Sequence, residues 1–287
     1  MRNLLYLLLA LSMYATSAYS KPQVDAINDM RDIIVKSPME IAAGNVPSHS
    51  FIHKFGEAGD IDTADGVVDI WDGATDTIAG FTKTPTYTYS TTADIDSISS
   101  SDNSDTVDIE IQGLDSDWNL VNQTITLTGQ TRAALTTNLI RVFRVKNVGA
   151  TALAGNVFVY KNGGLTAGVP DTEADVRAIM QIGNEQTLMN LYTIPNGKSG
   201  YLCRFSASMS RRATQNSNIE MRFRQNGGVF QLKNRQSVMA AGTSHENHAY
   251  AIPESGLPEK TDIALRADSS ANNGAISGSF DIVLVDD

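Results

Sequence analysis

The stretch Val107-Asp108-Ile109-Glu110-Ile111, closed by Gly113, decides the fold class. Apolar side chains recur at every second residue, so Val107, Ile109 and Ile111 share one face of an extended chain while Asp108 and Glu110 face the other way. Half-buried antiparallel strands have this period. Working outward, short runs rich in Val, Ile, Thr, Tyr and Phe repeat between clusters of Gly, Asn, Asp and Ser. Before it stand Val67 to Trp71, ended by Asp72-Gly73, and Pro85 to Ser90, where Thr and Tyr alternate. After it come Thr124 to Thr128, Leu139 to Val148 and Gly155 to Tyr160, the last closed by Asn162-Gly163-Gly164. The second half adds runs at 176–182, 188–194, 200–209, 219–224, 229–232, 249–252, 262–267 and 280–285, with hairpin signals at Asn196-Gly197 and Asn226-Gly227-Gly228.

This spacing predicts an all-β chain of two antiparallel, jelly-roll-like sandwiches. The Gly-, Thr-, Pro- and Asp-rich residues 161–175 are the best linker, which places the first sandwich at 57–165 and the second at 166–287. Residues 1–20 read as a secretory leader, with the apolar run Leu4 to Leu11 and small residues Ala18 and Ser20 at the cleavage end, or as an arm. Residues 21–56 read as an N-terminal arm and an ordered but irregular lead-in. A short helical turn is expected, if anywhere later, around Asp171 to Met180, and the Asp/Ser tract 94–108 reads as an exposed loop or strand edge.

The chain has 287 residues and a net charge of −10, enough length to bury a core and the wrong sign for a phosphate backbone. Loss of a leader containing Arg2 would leave 21 basic against 32 acidic side chains. No Lys/Arg cluster carries interleaved aromatics, and the doublet Arg211-Arg212 reads as a solvated loop, so direct nucleic-acid binding is not expected. Beyond the leader no run approaches eighteen apolar residues, which predicts no membrane span. Cys203 is the single cysteine, which rules out an internal disulfide; its apolar surroundings predict a buried, inert thiol.

Motifs for chemistry are sparse. His49 with His53, and His245 with His248, lack the His-Glu-x-x-His spacing of a zinc peptidase; the first pair reads as part of the lead-in and the second as part of a polar loop. Asp60-Ile61-Asp62-Thr63-Ala64-Asp65-Gly66 resembles a calcium loop, but one residue too many separates the second and third acids, and Trp71 stands where an EF-hand needs Glu. Asp60, Asp62 and Asp65 remain candidates for a non-standard calcium site with Asp69 or Asp72, against a solvated acidic loop. No nucleophile elbow, Ser-x-x-Lys or phosphate loop occurs in the required setting, so no catalytic residue and no cofactor are expected.

The segment from Ile33 to Pro47, continuing through His49, Phe51, His53, Lys54, Phe55 and Gly56 to Asp60-Ile61-Asp62, resembles a family of capsid-stabilising or generic virion proteins of marine tailed bacteriophages. Similar stretches are Tyr192 to Pro195 with Gly197-Lys198 and Gly200 to Leu202, then Gly228 to Gln231, Glu259 to Ile263, and Phe280 to Asp286. The resemblance covers residues 33–287 and implies a virion component, a decoration or stabilising subunit without catalytic residues, whose partners are capsid subunits and copies of itself. In that setting Ile33, Ile34, Val35, Met39, Ile41, Phe51 and Phe55 are the expected contacts of a gripping arm. A leader departs from cytoplasmic capsid assembly; it implies either an arm inserted into a neighbour or a periplasmic or secreted location. Two further readings stand beside this one: a tail or fibre-tip protein binding a host surface glycan through Trp71, Trp118 or Tyr250, and a secreted carbohydrate-binding module.

Overall fold

The computed structural model describes residues 38–75, 78–210, 215–240, 243–249 and 256–287. The leader, the arm up to residue 37, Arg211-Arg212 and Tyr250 lie outside the described residues. The chain divides into two compact units, 1–51 and 52–287. In the first, helix α1 (Pro38–Ala42) is a single turn that buries Ile41 and leaves Met39 exposed.

The second unit is antiparallel β structure throughout. One sheet has the order β1 (His49–Ile61), β18 (Gly274–Asp286), β13 (Lys198–Ser210), β16 (Thr243–Ala249). A second has the order β12 (Leu191–Thr193), β17 (Asp262–Ala267), β14 (Gln215–Arg224), β15 (Gln231–Ala240), and the short β2 (Val68–Asp69) also pairs with β17. These two sheets adjoin where β15 approaches β16 and β13.

The other pair of sheets comes from the middle of the chain. One runs β11 (Val176–Met180), β8 (Val157–Lys161), β3 (Ile95–Ser100), β6 (Ala133–Leu139), the other β5 (Leu120–Thr126), β4 (Asp108–Leu114), β7 (Arg141–Asn147). They adjoin at β7 with β11 and at β5 with β6. Residues 95–180 are thus inserted between β2 and β12, and β1 and β2 belong to the sheets of the C-terminal strands. A single cut at 165/166 does not describe this arrangement. The stretch 161–175 holds the small hairpin β9 (Leu165–Thr166) and β10 (Val169–Pro170), followed by a 3₁₀ turn at Glu173–Asp175 where a helix was expected.

In β4 the expected alternation holds: Ile109 and Ile111 are buried, Asp108 is exposed and Glu110 half-exposed. Four other readings need correction. Residues 49–56, expected in an irregular lead-in, belong instead to the thirteen-residue strand β1. The Ser-rich stretch 95–100 is a buried strand whose hydroxyls find partners, Ser99 Oγ donating to Gly168 O at 2.8 Å and Ser100 Oγ to Asp105 Oδ2 at 2.5 Å. His245 and His248 lie on β16 and not in a loop. Pro85 to Ser90 forms no ladder: Pro85 O accepts from Asp69 N–H at 2.9 Å, but Tyr87 N–H donates to the Asp69 side chain at Oδ2, 2.9 Å, and Ser90 O accepts from Arg141 Nη1 at 2.6 Å.

Candidate functional site

The acidic loop is built around a lysine. Lys83 Nζ lies 3.2 Å from Asp62 Oδ2 and 3.0 Å from Asp65 Oδ2, and donates to the Asp60 carbonyl oxygen at 3.5 Å. Asp65 Oδ2 also accepts from Asp62 N–H at 2.8 Å, and Asp62 Oδ1 accepts from Asn273 N–H at 2.9 Å. The ammonium occupies the place that a calcium ion among Asp60, Asp62 and Asp65 would need, and the loop closes as a 3₁₀ turn at Thr63–Asp65. Among the described residues no group of three or more His, Cys, Asp or Glu is placed to hold a metal ion.

His49, the first residue of β1, contacts Pro47 O through Nδ1 at 2.9 Å. His53, a half-exposed residue of β1, stacks on Phe55 and sits 2.6 Å from Asp281 Oδ1, while Arg204 Nε holds Asp281 Oδ2 at 3.0 Å. This His-Asp-Arg set lies on one sheet with Ser206 and Ser279 nearby on β13 and β18, but those hydroxyls bond each other at 2.7 Å. The dyad therefore has no nucleophile bonded to it among the described residues. Cys203 is half-buried, less enclosed than its sequence context implies; burial raises its thiol pKa, Val283 N–H opposing, which keeps it a poor nucleophile.

Of the tryptophans, Trp71 is fully buried, donates Nε1–H to Thr84 O at 3.1 Å and meets Tyr87 edge to face, so it offers no surface to a ligand. Its ring is so close to Gly73 that a Cβ there would stand 2.3 Å from the indole. Trp118 is half-buried with Arg141 stacked on it, 4.8 Å from guanidinium carbon to ring centre. In the N-terminal part, Met39 is 76% exposed, Ile41 is buried, and Phe51 and Phe55 are half-buried; Ile33, Ile34 and Val35 lie outside the described residues.

The densest polar cluster was not visible in the sequence. Asp262 on β17 stands directly across from Thr193 on β12 and Arg224 on β14. Its Oδ1 accepts from Thr193 Oγ1 at 2.6 Å and from Arg141 Nε at 2.9 Å; its Oδ2 accepts from Arg141 Nη2 at 3.2 Å and from Arg224 Nε at 3.0 Å. Two rows along the same face, Asp69, Arg266, Glu220 and Arg235 are successive cross-strand neighbours over β2, β17, β14 and β15. Arg266 Nε holds Asp69 Oδ1 at 2.7 Å, and Arg222 and Arg235 hold the two oxygens of Glu220. Tyr89 and Phe230 lie against the guanidinium groups of Arg141, Arg224 and Arg266 at 4.4–5.2 Å. Burial pushes the Asp69 carboxyl up, while Arg266 and Tyr87 N–H pull it back. A periodicity reading assigns such outward positions of a strand to water; here they are roofed by the segment 81–90 and by Arg141 from β7. The signal that was available is a charged residue at each end of Asp262-Ile263-Ala264-Leu265-Arg266, both on one face of a run otherwise fit for a core.

One carboxyl stands apart. Asp72 is buried, accepting from Leu188 N–H at 2.5 Å and Gln181 Nε2 at 3.1 Å beside a polar cleft of about 250 Å³ that Glu57, Thr75 and Asn184 also line. Burial raises its pKa to about 8, the two hydrogen bonds opposing and the Glu57 charge adding to the rise.

No protein-family model matches the chain, and no curated protein matches it. Among solved structures, a CBM4 carbohydrate-binding module is 14% identical over 47% of this chain and 73% of its own, with a TM-score of 0.21. The infectious bursal disease virus Gt strain is 9% identical over 84% and 77%, with a TM-score of 0.19. The VP2 subviral particle of the same virus is 9% identical over 83% and 72%, with a TM-score of 0.20. Likeness this slight fixes neither fold nor function.

Proposed function

We propose that this chain is a non-enzymatic structural subunit of a bacteriophage particle, attached to the capsid as a decoration or stabilising protein. The observation that supports it most is how the buried charges are used. Asp262, Asp69 and Glu220 are each held by arginines inside a β framework, so their ionisable groups serve to fix strands and are not left free for proton transfer. The family-like segments at 33–62 and 192–286 add the viral reading, and the net charge of −10 fits a partner surface of protein and not nucleic acid.

The gripping element in this reading is the N-terminal segment 21–48, because residues 49–56 are already paired with β18 as part of β1. An extended arm can add to a sheet edge or fill a groove on a neighbour, and repetition over a symmetric shell converts weak single contacts into stable attachment. Capsid subunits and further copies of this chain are the proposed partners, and the virion is the proposed location.

Peptide mass spectrometry on gradient-purified particles tests the reading. The expected result is the chain at a fixed ratio to the major capsid protein, with its N-terminal peptide starting at Met1 or Arg2. Recovery only from periplasm or medium, with an N-terminus at Lys21, would overturn it in favour of a secreted carbohydrate-binding module.

A further inference from the structure

The sheet face opposite the charge ladder is the interior of the C-terminal sandwich, where Phe223 on β14 lies across from both Ile263 on β17 and Gln231 on β15. At its open end the interior is not closed over. A pocket of about 190 Å³ is lined by Phe223, Leu257, Pro258 and Val229 on the apolar side and by Gln225, Gln231, Lys233 and Thr261 on the polar side. Such a volume is below the roughly 300–1,000 Å³ that encloses a drug-sized ligand, so it suits one ring and not an oligomer.

Three features of this mouth are unexplained by folding alone. Lys233 sits where the β14–β15 register slips: Met221 faces Asn234 and Arg222 faces Leu232, which leaves Lys233 as the extra residue of a bulge without a cross-strand partner. Bulges re-aim side chains beside binding sites. Among the described residues no carboxylate pairs with this lysine, although the chain carries ten more acidic than basic groups. Thr261 is only 1% exposed, and among the described residues its hydroxyl oxygen has no hydrogen-bond partner, an unfavourable state for a buried polar atom. Lastly, Val229 is 79% exposed on the rim, just past the Gln225–Gly228 turn.

The walls are fixed in place. Leu257 and Gly200 exchange both backbone hydrogen bonds, at 2.7 and 2.8 Å, which ties the 257–258 wall to β13. Glu259, which follows the 257–258 wall, is turned to Gly197 N–H and Lys260 Nζ and makes no ion pair with Lys233. An apolar wall, two side-chain amides and one ammonium without a carboxylate partner among the described residues together match a polyhydroxylated ring that has a C–H face and one carboxylate.

We propose that this mouth binds a single acidic pyranose unit, a uronic-acid residue of a polysaccharide. The C–H face of the sugar packs against the apolar wall of Phe223, Leu257 and Pro258; Gln225 and Gln231 bond its hydroxyls; Lys233 takes the carboxylate in a charge-assisted bond. The site stands independently of particle attachment, so failure of either proposal leaves the other standing.

The test is titration of the full chain with glucuronic acid and with glucose, followed by amide ¹H–¹⁵N shifts. Saturable shifts at Gly228 and Lys233 with glucuronic acid are expected, with glucose weaker by about tenfold, the usual worth of one charge-assisted hydrogen bond. Lys233→Ala, an exposed bulge position whose loss leaves the fold intact, is expected to weaken glucuronic acid by about tenfold and leave glucose unchanged. Absence of saturation by about 50 mM glucuronic acid, near the weakest binding that such a titration resolves, would overturn the proposal. So would a Lys233→Ala chain that binds as the parent does, with an unchanged thermal midpoint proving it folded.

Discussion

Asp72 and Lys54 are opposite cases of a charge placed in the interior, and each sets a different slope of stability against pH. Asp72 has a folded pKa of about 8 against an ordinary value of 3.8, so the folded chain keeps a proton that the unfolded chain releases. Its penalty is absent below about pH 4, grows as pH rises and is complete above 8. Lys54, buried with its ammonium donating to Phe143 O, is lowered from 10.5 to about 7, burial first and Arg144 second. Its penalty is complete below 7 and is relieved as pH rises toward 10.5. Asp72→Asn keeps an oxygen for Leu188 N–H, and a flip of the Gln181 amide gives the new NH₂ an acceptor. We expect Asp72→Asn to gain roughly 2–4 kcal/mol over the parent at pH 9 relative to pH 5, read from urea midpoints. An equal gap at both pH values would show that Asp72 is not protonated in the folded chain.

At the scale of a strand, Gly113 in β4 shows what close packing demands. The β4–β7 register slips between Gln112 and Gly113, and a Cβ on Gly113 would stand 2.2 Å from Arg141 O and 2.9 Å from Leu139 Cδ1. Backbone cannot give way as a side chain can, so Gly113→Ala is expected to cost about 2–4 kcal/mol. Hydrogen exchange should place the loss in amides of β4 and β7 while those of β13 and β18 stay protected; uniform loss would count against a local clash. The same strand was the easiest to read, because its buried residues are large and its exposed ones charged. Strand β1 was missed because that rule inverts there. Lys54, Gly56 and Ala58 face inward while Phe51, His53 and Phe55 lie half-exposed or open, and Gly56 is small because Asn190 backbone N would stand 2.5 Å from a Cβ. Strand β3 hid for a related reason: beside Ile95 and Ile98 its buried positions are serines, and the partners of Ser99 and Ser100, Gly168 and Asp105, are distant or across a turn. Apolar periodicity reports burial only where apolar groups fill the core.

For the molecule as a whole, the link that no local pattern can show is Arg141 with Asp262, 121 positions apart in sequence. Arg141 belongs to β7 of the inserted strands and Asp262 to β17 of the C-terminal sheet, and Ser90 O from the roofing segment accepts from the same guanidinium. Three parts of the chain thus meet on one carboxylate, and the 52–287 unit shares one continuous hydrophobic core around it. Removal of the negative charge leaves two arginines facing each other in a place with little water. Asp262→Asn is therefore expected to cost about 3–5 kcal/mol, the scale of a broken buried ion pair, far above the 0–1 kcal/mol of an exposed one. Tryptophan fluorescence adds a readout of where the damage falls, since Trp118 stacks on Arg141 and Trp71 packs edge to face on Tyr87 beneath the roof. If the inserted strands and the C-terminal sheets depend on this contact, urea unfolding of the variant followed by fluorescence will separate from unfolding followed by far-ultraviolet circular dichroism. A variant that loses under about 1 kcal/mol and keeps one shared transition would mean that the apolar core alone joins the two parts, and that the charge ladder is a surface-like ornament sealed in by the roof.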